Sequence, residues 1–465
     1  MALRLKSTSG PERGVNLIDL LLKGGRVYLE GELRDICVGV DGGVIAAFGK
    51  EPAMPDADEV IDLSGKVVLP GAVDPHVHIF SPGWIRETFR SGTAAAAVGG
   101  VTTVADMASV GEWHTASVDV FKRKLERAES ESIVDFALYC GEIHRESDLN
   151  EIPDILAQGS VGLGEIMMCE PDPIPDSPTL LRAMRLAAEA DAVISVHAED
   201  REIVSKSVSE AKAGWSGEME EFSSSRPDIA EAKAILDAAI LASKANCRLH
   251  ICHVSTEAGV KALRSAKEIH PQTTAEVTPH HLVLTVEDYE RLGPLLIVTP
   301  PVRTGRDAAA LWQALSSGLI DAIATDHCAF SREEKVGDTP WDIPAGLPGL
   351  ETVVVVLWSE GVAKGRISLK RFVEATSEVP ARILRIDHRK GGIAVGKDAD
   401  LVVIDASHRG RIGREDMMSV ADYTPFEGLE VSCRVAMTLV RGRVVARDGS
   451  VEAEPGYGEF ISRRS

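Results

Sequence analysis

Eight short apolar runs along the middle of the chain constrain its fold more than any other feature. They end near Ala72, Val104, Leu138, Ile166, Val196, Ile251, Val277 and Ala324. Helical patterns separate several of these runs, and one helix is predicted to begin at Ser177-Pro178, with Ser177 as its cap. Eight strands that alternate with helices predict a (β/α)8 TIM barrel, an α/β fold whose reactive groups lie at the carboxyl ends of the strands.

Both ends of the chain carry short strand-like runs separated by glycine turns. We expect residues 16–70 and 390–465 to form one small β-sandwich beside a catalytic barrel of residues 71–389. Residues 1–15 are mixed polar and are predicted to be a flexible N-terminal tail.

Charge and cysteine content exclude several classes of protein. The net charge of −21 disfavours binding to nucleic acid or to an anionic membrane. No apolar run is long enough for a membrane helix or a secretion signal, so a cytoplasmic protein is expected. The seven cysteines are an odd number without C-x-x-C spacing, which predicts reduced thiols.

Polar side chains stand at the ends of five predicted strands. His76 and His78 are two residues apart, so in an extended strand both face the same side. The complete set is His76, His78, Glu165, His197, His253 and Asp326. Imidazole and carboxylate groups are ligands of zinc and other divalent ions. One such residue is more often structural, but six at one rim predict a metal site.

The same residues suggest hydrolysis. A bound divalent ion lowers the pKa of water and polarises a carbonyl, and a nearby carboxylate can move the proton to a leaving nitrogen. Asp326 suits that role. Cys328 beside His327 could instead be a nucleophile pair, but adjacent strand-end residues point apart. His280 and His281 are interpreted as shaping the loop after the seventh strand.

Eight motifs together resemble the amidohydrolase superfamily, in its cyclic-amide branch of hydantoinases (dihydropyrimidinases), allantoinases and dihydroorotases. They are VDPHVH (73–78), GGVTTVADM (99–107), VHAED (196–200), HICHVS (250–255), TPHHL (278–282), PPVR (300–303), TDHC (325–328) and GLPGLE (346–351). The resemblance implies that His76, His78 and Asp326 bind one ion, and that His197 and His253 bind a second. It also implies that Asp326 is the general base and acid, that zinc is the metal, and that the protein is a homodimer or homotetramer.

Glu165 departs from this family pattern. The branch usually has a lysine here, carboxylated by CO2 and bridging two ions, so no carboxylated lysine is expected in this chain. Glutamate is shorter, and its carboxylate falls short by about 3–4 Å at full extension. Either the backbone moves in, the ions sit closer to the fourth strand, or only one ion binds well. A bridging Glu165 is a hypothesis.

The predicted substrate-binding residues are Phe80, Ser109, Thr299 and Phe330. Phe80, Ser109 and Phe330 replace the arginine, asparagine and histidine typical of dihydroorotases. A buried carboxylate without partners is costly, so dihydroorotate is expected to be a poor substrate. The stretches DHCAF (326–330) and DYTPFEG (422–428) resemble hydantoinases. We therefore expect zinc-dependent opening of a hydantoin or dihydropyrimidine ring. The alternatives are an allantoinase, a dihydroorotase-like enzyme with an altered pocket, or a non-catalytic homologue.

Overall fold

The computed structural model describes residues 17–83, 86–169 and 174–464, so the predicted tail of residues 1–15 lies outside the described residues. Seven strands precede the barrel: β1 (Leu17–Lys23), β2 (Arg26–Leu29), β3 (Glu32–Asp35), β4 (Cys37–Asp41), β5 (Val44–Gly49), β6 (Asp56–Asp62) and β7 (Val67–Pro70). Four of them form one sheet in the order β5-β4-β1-β6.

Eight strands form the barrel: β8 (Ala72–Val77), β9 (Val101–Asp106), β10 (Asp135–Cys140), β11 (Gly162–Met167), β12 (Val193–His197), β13 (Arg248–Ile251), β14 (Thr273–Val277) and β15 (Ala322–Ile323). Each pairs in parallel with its neighbour in the sequence. A parallel bridge between Val77 and His327 joins the two ends of the sheet. The predicted barrel and its eight strands are therefore confirmed.

The helices lie between and after these strands: α1 (Phe89–Gly99), α2 (Val118–Glu131), α3 (Ile152–Ala157), α4 (Ser177–Glu189), α5 (Arg201–Gly214), α6 (Glu221–Ser224), α7 (Asp228–Ala245), α8 (Glu257–Ile269), α9 (Pro279–Val283), α10 (Tyr289–Leu292), α11 (Gly305–Ser317), α12 (Val353–Leu357), α13 (Leu369–Val373) and α14 (Val379–Ile383). Short π-helical turns follow α12 and join α13 to α14. Asp176, not the predicted Ser177, caps α4, because its extended backbone lets the carboxylate accept from the N–H of Thr179.

Strands from both ends of the chain share the second sheet outside the barrel. The C-terminal strands are β16 (Leu401–Asp405), β17 (Gly410–Arg411), β18 (Glu430–Val431), β19 (Arg434–Val440), β20 (Arg443–Arg447) and β21 (Ser450–Val451). The sheet runs β21-β20-β19-β16-β7-β2-β3, so N-terminal β7 pairs with C-terminal β16. Leu20 and Val38 of the first sheet share an apolar layer with Leu401 and Leu439 of the second. The predicted pairing of the two chain ends is confirmed.

A buried ion-pair network joins the amino end of the barrel to this sandwich. The ammonium group of Lys390 contacts Asp135 of β10, and it lies 2.7 Å from carboxylate oxygens of both Asp398 and Asp400. Arg441, which follows β19, also contacts Asp135. Buried charges of this kind need their partners, so the network ties the two parts together.

The seven cysteines are all buried thiols, in agreement with the expectation of reduced cysteines. Within the described residues, no helix is both long and apolar enough to cross a membrane.

Candidate metal centre

The six predicted ligands meet at the carboxyl end of the barrel. His76 and His78 stand at the end of β8, and Glu165 lies in β11. The remaining three are His197 at the end of β12, His253 after β13 and Asp326 after β15. All except His78 are buried, and 14% of the His78 side chain is exposed.

His76, His78 and Asp326 form the first group of donors. Nε2 of His76 lies 3.1 Å from Nε2 of His78, and each nitrogen lies 3.3 Å from Oδ1 of Asp326. Zinc binds nitrogen and oxygen donors at 2.0–2.2 Å, which places neighbouring donors of a tetrahedral site about 3.3 Å apart. The three atoms therefore have the mutual spacing that a tetrahedral ion requires.

The hydrogen bond made by His76 also fits a metal ligand. Its Nδ1 lies 2.6 Å from Oε1 of the buried Glu276, so Nδ1 donates to that carboxylate and Nε2 is left as the donor to an ion. Burial lowers the pKa of His76, but the charges of Glu276, Glu165 and Asp326 outweigh burial and raise it to about 10. The surrounding carboxylates thus favour a positive charge at this position, which a divalent ion would supply.

His197 and His253 form the second group. Nε2 of His253 lies 2.8 Å and Nδ1 of His197 lies 3.5 Å from the same oxygen, Oε1 of Glu165. Nε2 of His197 lies 2.7 Å from Oε2 of Glu199, which leaves Nδ1 facing the group. Arg226 in turn donates from Nε to both oxygens of Glu199 at 3.1 Å. The imidazole of His197 is therefore oriented by a buried carboxylate, as His76 is.

Glu165 lies between the two groups. Oε1 faces His197 and His253, whereas Oε2 lies 3.7 Å from Nε2 of His76 and 3.8 Å from Nε2 of His78. The pairing of β11 with β12 shifts register after Leu163, so Glu165 stands at an irregularity in the strand. Its carboxylate oxygens lie within 3.8 Å of histidine nitrogens in both groups, and a bridging role for Glu165 stays a prediction.

The backbone of the site is strained at two of the predicted ligands. His253 has φ of 28° and Asp326 has φ of 51°, a region that non-glycine residues rarely adopt. Asp74 supports this corner of the barrel, because its carboxylate accepts from the N–H groups of both His76 and Thr325. The N–H of Asp326 donates to the carbonyl of His76 at 3.1 Å. β8 and the segment after β15 are thereby fixed to each other.

Sequence reasoning missed the carboxylates that orient the histidines. An oxygen of Glu276 lies 2.9 Å from Nε2 of His250, and the other oxygen contacts His76. Burial opposes ionisation of Glu276, but the charges and hydrogen bonds of these two histidines lower its pKa to about 2. Its signal was a single acidic residue inside the predicted strand that ends at Val277. Glu199 was visible two residues after His197 but was given no role.

The four predicted substrate residues lie in different settings. The ring of Phe80 stacks on Phe89 with centroids 5.2 Å apart and is buried. Ser109 donates to the carbonyl of Phe80 at 2.5 Å and accepts from the buried Lys124 at 2.8 Å, so its hydroxyl holds the loop. Two remain: Phe330 is buried beside Cys328, and Thr299 is half-buried. Their contact with a substrate stays a prediction.

The other histidines near the rim have separate roles. Nε2 of His327 lies 2.7 Å from Oε2 of Glu87, so this imidazole is paired with a buried carboxylate. Burial raises the pKa of the neighbouring Cys328 thiol well above its usual range, and a thiol that stays protonated is a poor nucleophile. His281 contacts Thr278 and the carbonyl of Pro300, so it shapes the loop after β14 as expected. Nε2 of the buried His280 has no hydrogen-bond partner within the described residues.

Comparison with known proteins identifies the family of the chain. The family model for the amidohydrolase family matches residues 67–445. An L-hydantoinase of Paenarthrobacter aurescens is 34% identical over 97% of this chain and 99% of its own length. An allantoinase of Rubrobacter xylanophilus is also 34% identical, over 96% of this chain and 98% of its own. A dihydroorotase of Methanothermobacter thermautotrophicus is 36% identical over 96% of this chain and 97% of its own length.

Solved structures give the same relationship. The structure of the L-hydantoinase (dihydropyrimidinase) from Arthrobacter aurescens superposes with a TM-score of 0.90 at 34% identity, covering 96% of this chain and all of that one. The chain therefore belongs to the amidohydrolase family, in the group that holds hydantoinases, allantoinases and dihydroorotases, as its motifs predicted.

Proposed function

We propose that this protein is a metal-dependent hydrolase that opens a cyclic amide, with 5-substituted hydantoins or dihydropyrimidines as substrates. The observation that carries the proposal is the position of Glu165, whose two oxygens face two separate groups of histidine donors. A single carboxylate between two nitrogen groups is an arrangement for holding two ions close together. The named relatives that act on cyclic amides support the same reaction class.

The donor set fits zinc. His76, His78 and Asp326 would hold one ion, and His197 and His253 would hold a second, with Glu165 shared between them. Nitrogen and carboxylate oxygen are the donors that zinc accepts in hydrolytic sites. When bound, such an ion lowers the pKa of water and polarises a carbonyl oxygen.

Asp326 is the proposed acid and base. Its contacts with both histidines are made through Oδ1, and Oδ2 is the oxygen proposed to take a proton from the attacking water. The same oxygen would then deliver the proton to the ring nitrogen that leaves. Burial opposes ionisation of Asp326, but the nearby His76, His78 and His253 hold its pKa below its usual range, so its carboxyl group is ionised.

Dihydroorotate is disfavoured as the substrate because its carboxylate finds no cation among the predicted pocket residues. Lys124, the buried ammonium nearest to Ser109, already contacts Asp106 at 2.6 Å and the carbonyl of Met107 at 2.6 Å. A carboxylate buried beside Phe80 would lack a partner, which is costly. A neutral ring substituent suits these residues better.

Assembly and location belong to the same proposal. We propose that the protein forms a homodimer or homotetramer. We also propose that it is cytoplasmic, because seven buried thiols suit a reducing compartment.

The test is ring opening by zinc-loaded protein on four compounds: a 5-substituted hydantoin, dihydrouracil, allantoin and dihydroorotate. Turnover of the hydantoin or of dihydrouracil, with none of dihydroorotate, is the expected result. Strong turnover of dihydroorotate would mean that other residues bind its carboxylate. Failure on all four by protein that holds no metal would favour a non-catalytic homologue.

A further inference from the structure

Glu142 is a buried carboxylate at the mouth of the barrel. It lies just after β10 (Asp135–Cys140), on the rim that carries the candidate ligands, and only 8% of it is exposed. Its Oε2 has no hydrogen-bond partner within the described residues. The other oxygen, Oε1, has Nε2 of His144 at 3.9 Å, which is beyond hydrogen-bond distance. A buried carboxylate normally has its hydrogen bonds satisfied, so Glu142 is an exception that needs a reason.

Two of the predicted metal ligands influence Glu142. The charges of His78 and Glu165 both act on its carboxyl group. Burial raises the pKa of Glu142 to about 7, whereas His144 and His78 oppose that rise. Cys140 of β10 pairs with Leu163 of β11, so Glu142 and Glu165 each lie two residues beyond that pair on neighbouring segments of the rim. This register places Glu142 beside the predicted ligands, where it can meet a molecule bound there.

The backbone of Glu142 is held in place by the neighbouring loop. Nε2 of His114 donates to the carbonyl of Glu142 at 2.5 Å, and the N–H of Gly141 donates to the carbonyl of Thr115 at 3.1 Å. The rings of His114 and His144 lie with centroids 5.4 Å apart. The loops after β9 and β10 thus support each other, and the backbone that carries the Glu142 side chain is fixed before any ligand binds.

We propose that Glu142 selects the substituent on the ring, and that it favours substituents that carry N–H donors, such as ureido or amino groups. This inference rests on the proposed function. A ureido N–H would satisfy the open oxygen of Glu142, an alkyl group would leave that oxygen without a partner, and a carboxylate would be repelled by it. Glu142 therefore acts as a specificity-determining residue, separate from the groups that hold metal.

The experiment compares three hydantoins that differ only at C5, with a ureido, an isobutyl or a carboxymethyl substituent. The proteins are zinc-loaded wild type, Glu142→Gln and Glu142→Ala. Glu146→Gln is the matched control, because Glu146 lies on the same loop with 68% of its side chain exposed. The readout is the ratio of kcat/KM between the ureido and isobutyl compounds, together with zinc content.

Wild type is expected to favour the ureido compound over the isobutyl compound, with the carboxymethyl compound poorest. Loss of a hydrogen bond to a charged acceptor should lower the ureido-to-isobutyl ratio roughly 10- to 100-fold in Glu142→Ala, and by less in Glu142→Gln, whose amide oxygen still accepts; the control should keep the wild-type ratio. An unchanged ratio would overturn the inference, and so would an equal loss on all three compounds, which would mean that Glu142 contacts the common ring.

A preference of wild type for the carboxymethyl compound that is kept in Glu142→Gln and disappears in Glu142→Ala would also overturn the inference, because Glu142 would then act as a neutral donor. If wild type turns over none of the three, and dihydrouracil is not opened either, the proposed function is wrong. The same ratios are then measured as dissociation constants by calorimetry, and binding ratios that do not depend on Glu142 would overturn this inference separately.

Discussion

Nδ1 of His76 lies 2.6 Å from Oε1 of Glu276, and both side chains are fully buried. Because the carboxylate accepts the proton on Nδ1, the other nitrogen of His76 is directed at His78 and Asp326. Glu276 also contacts His250 and the N–H of His253, so one carboxylate supports several parts of the cluster. The candidate centre therefore depends on a residue that is not itself a proposed ligand.

Replacing Glu276 by glutamine should weaken metal binding. The amide keeps the size of the side chain but removes the charge that orients His76, and changes of this kind cost about 10- to 100-fold in metal affinity. Competition with a chromogenic chelator measures the affinity. The control is Glu268→Gln, an exposed residue of α8. Equal affinities for Glu276→Gln and wild type would show that the contact does not support the metal site.

Glu165→Lys restores the residue that the family usually has, yet it should not restore a better site. The carboxylate of Glu165 already lies next to histidines of both donor groups. A carboxylated lysine is longer by about 3–4 Å, so it would fit this space only in a bent side-chain conformation. We expect fewer bound ions per chain than in wild type, even with added bicarbonate, as measured by elemental analysis. Glu165→Gln should lose metal as well, because the charge between the groups is gone. Two ions per chain in Glu165→Lys would contradict the fit described for Glu165.

Lys390→Met should destabilise the whole chain. The substitution would leave Asp135, Asp398 and Asp400 buried without their shared cation, which typically costs about 3–5 kcal/mol. The free energy of unfolding in urea measures the effect. Lys206→Met, at a residue whose side chain is 79% exposed, should change that free energy by less than about 0.5 kcal/mol. A Lys390 variant as stable as the control would mean that the network contributes little.

Asp326→Asn should abolish most activity while the protein stays folded. Removing a general acid and base typically lowers the rate by about 10²- to 10⁴-fold, and more where the same group holds an ion. The measurement is kcat on the best ring substrate, with zinc content determined in parallel. Asp338→Asn, at an exposed position, is the control. Wild-type turnover by Asp326→Asn would exclude the role proposed for Asp326.

The barrel could be predicted because its strands are buried on both faces and therefore read as apolar runs with polar residues at their ends. His76, His78 and His197 were visible for that reason. The reach of Glu165 could not be predicted, because side-chain length alone does not show where an irregular part of β11 places the carboxylate. The role of Glu276 was hidden as well, since the sequence does not show that the closed barrel places His76 of β8 beside this residue of β14.

Glu142 shows a further limit. It lies in a loop, and its neighbours in the sequence say nothing about the open oxygen that the fold buries. The pairing of His114 with the loop after β10 depends on two segments that are distant in the sequence. Contacts of this kind follow from the closed barrel, where adjacent strands bring their following loops together.

The most direct test of the central claim is the ring-opening rate as a function of bound zinc. Protein stripped with a chelator is reloaded with counted equivalents of zinc and assayed on a 5-substituted hydantoin and on dihydrouracil. We expect activity to vanish on stripping and to return in proportion to the zinc bound. Full activity without metal, or no activity on any ring at full zinc occupancy, would contradict the assignment as a metal-dependent cyclic amide hydrolase.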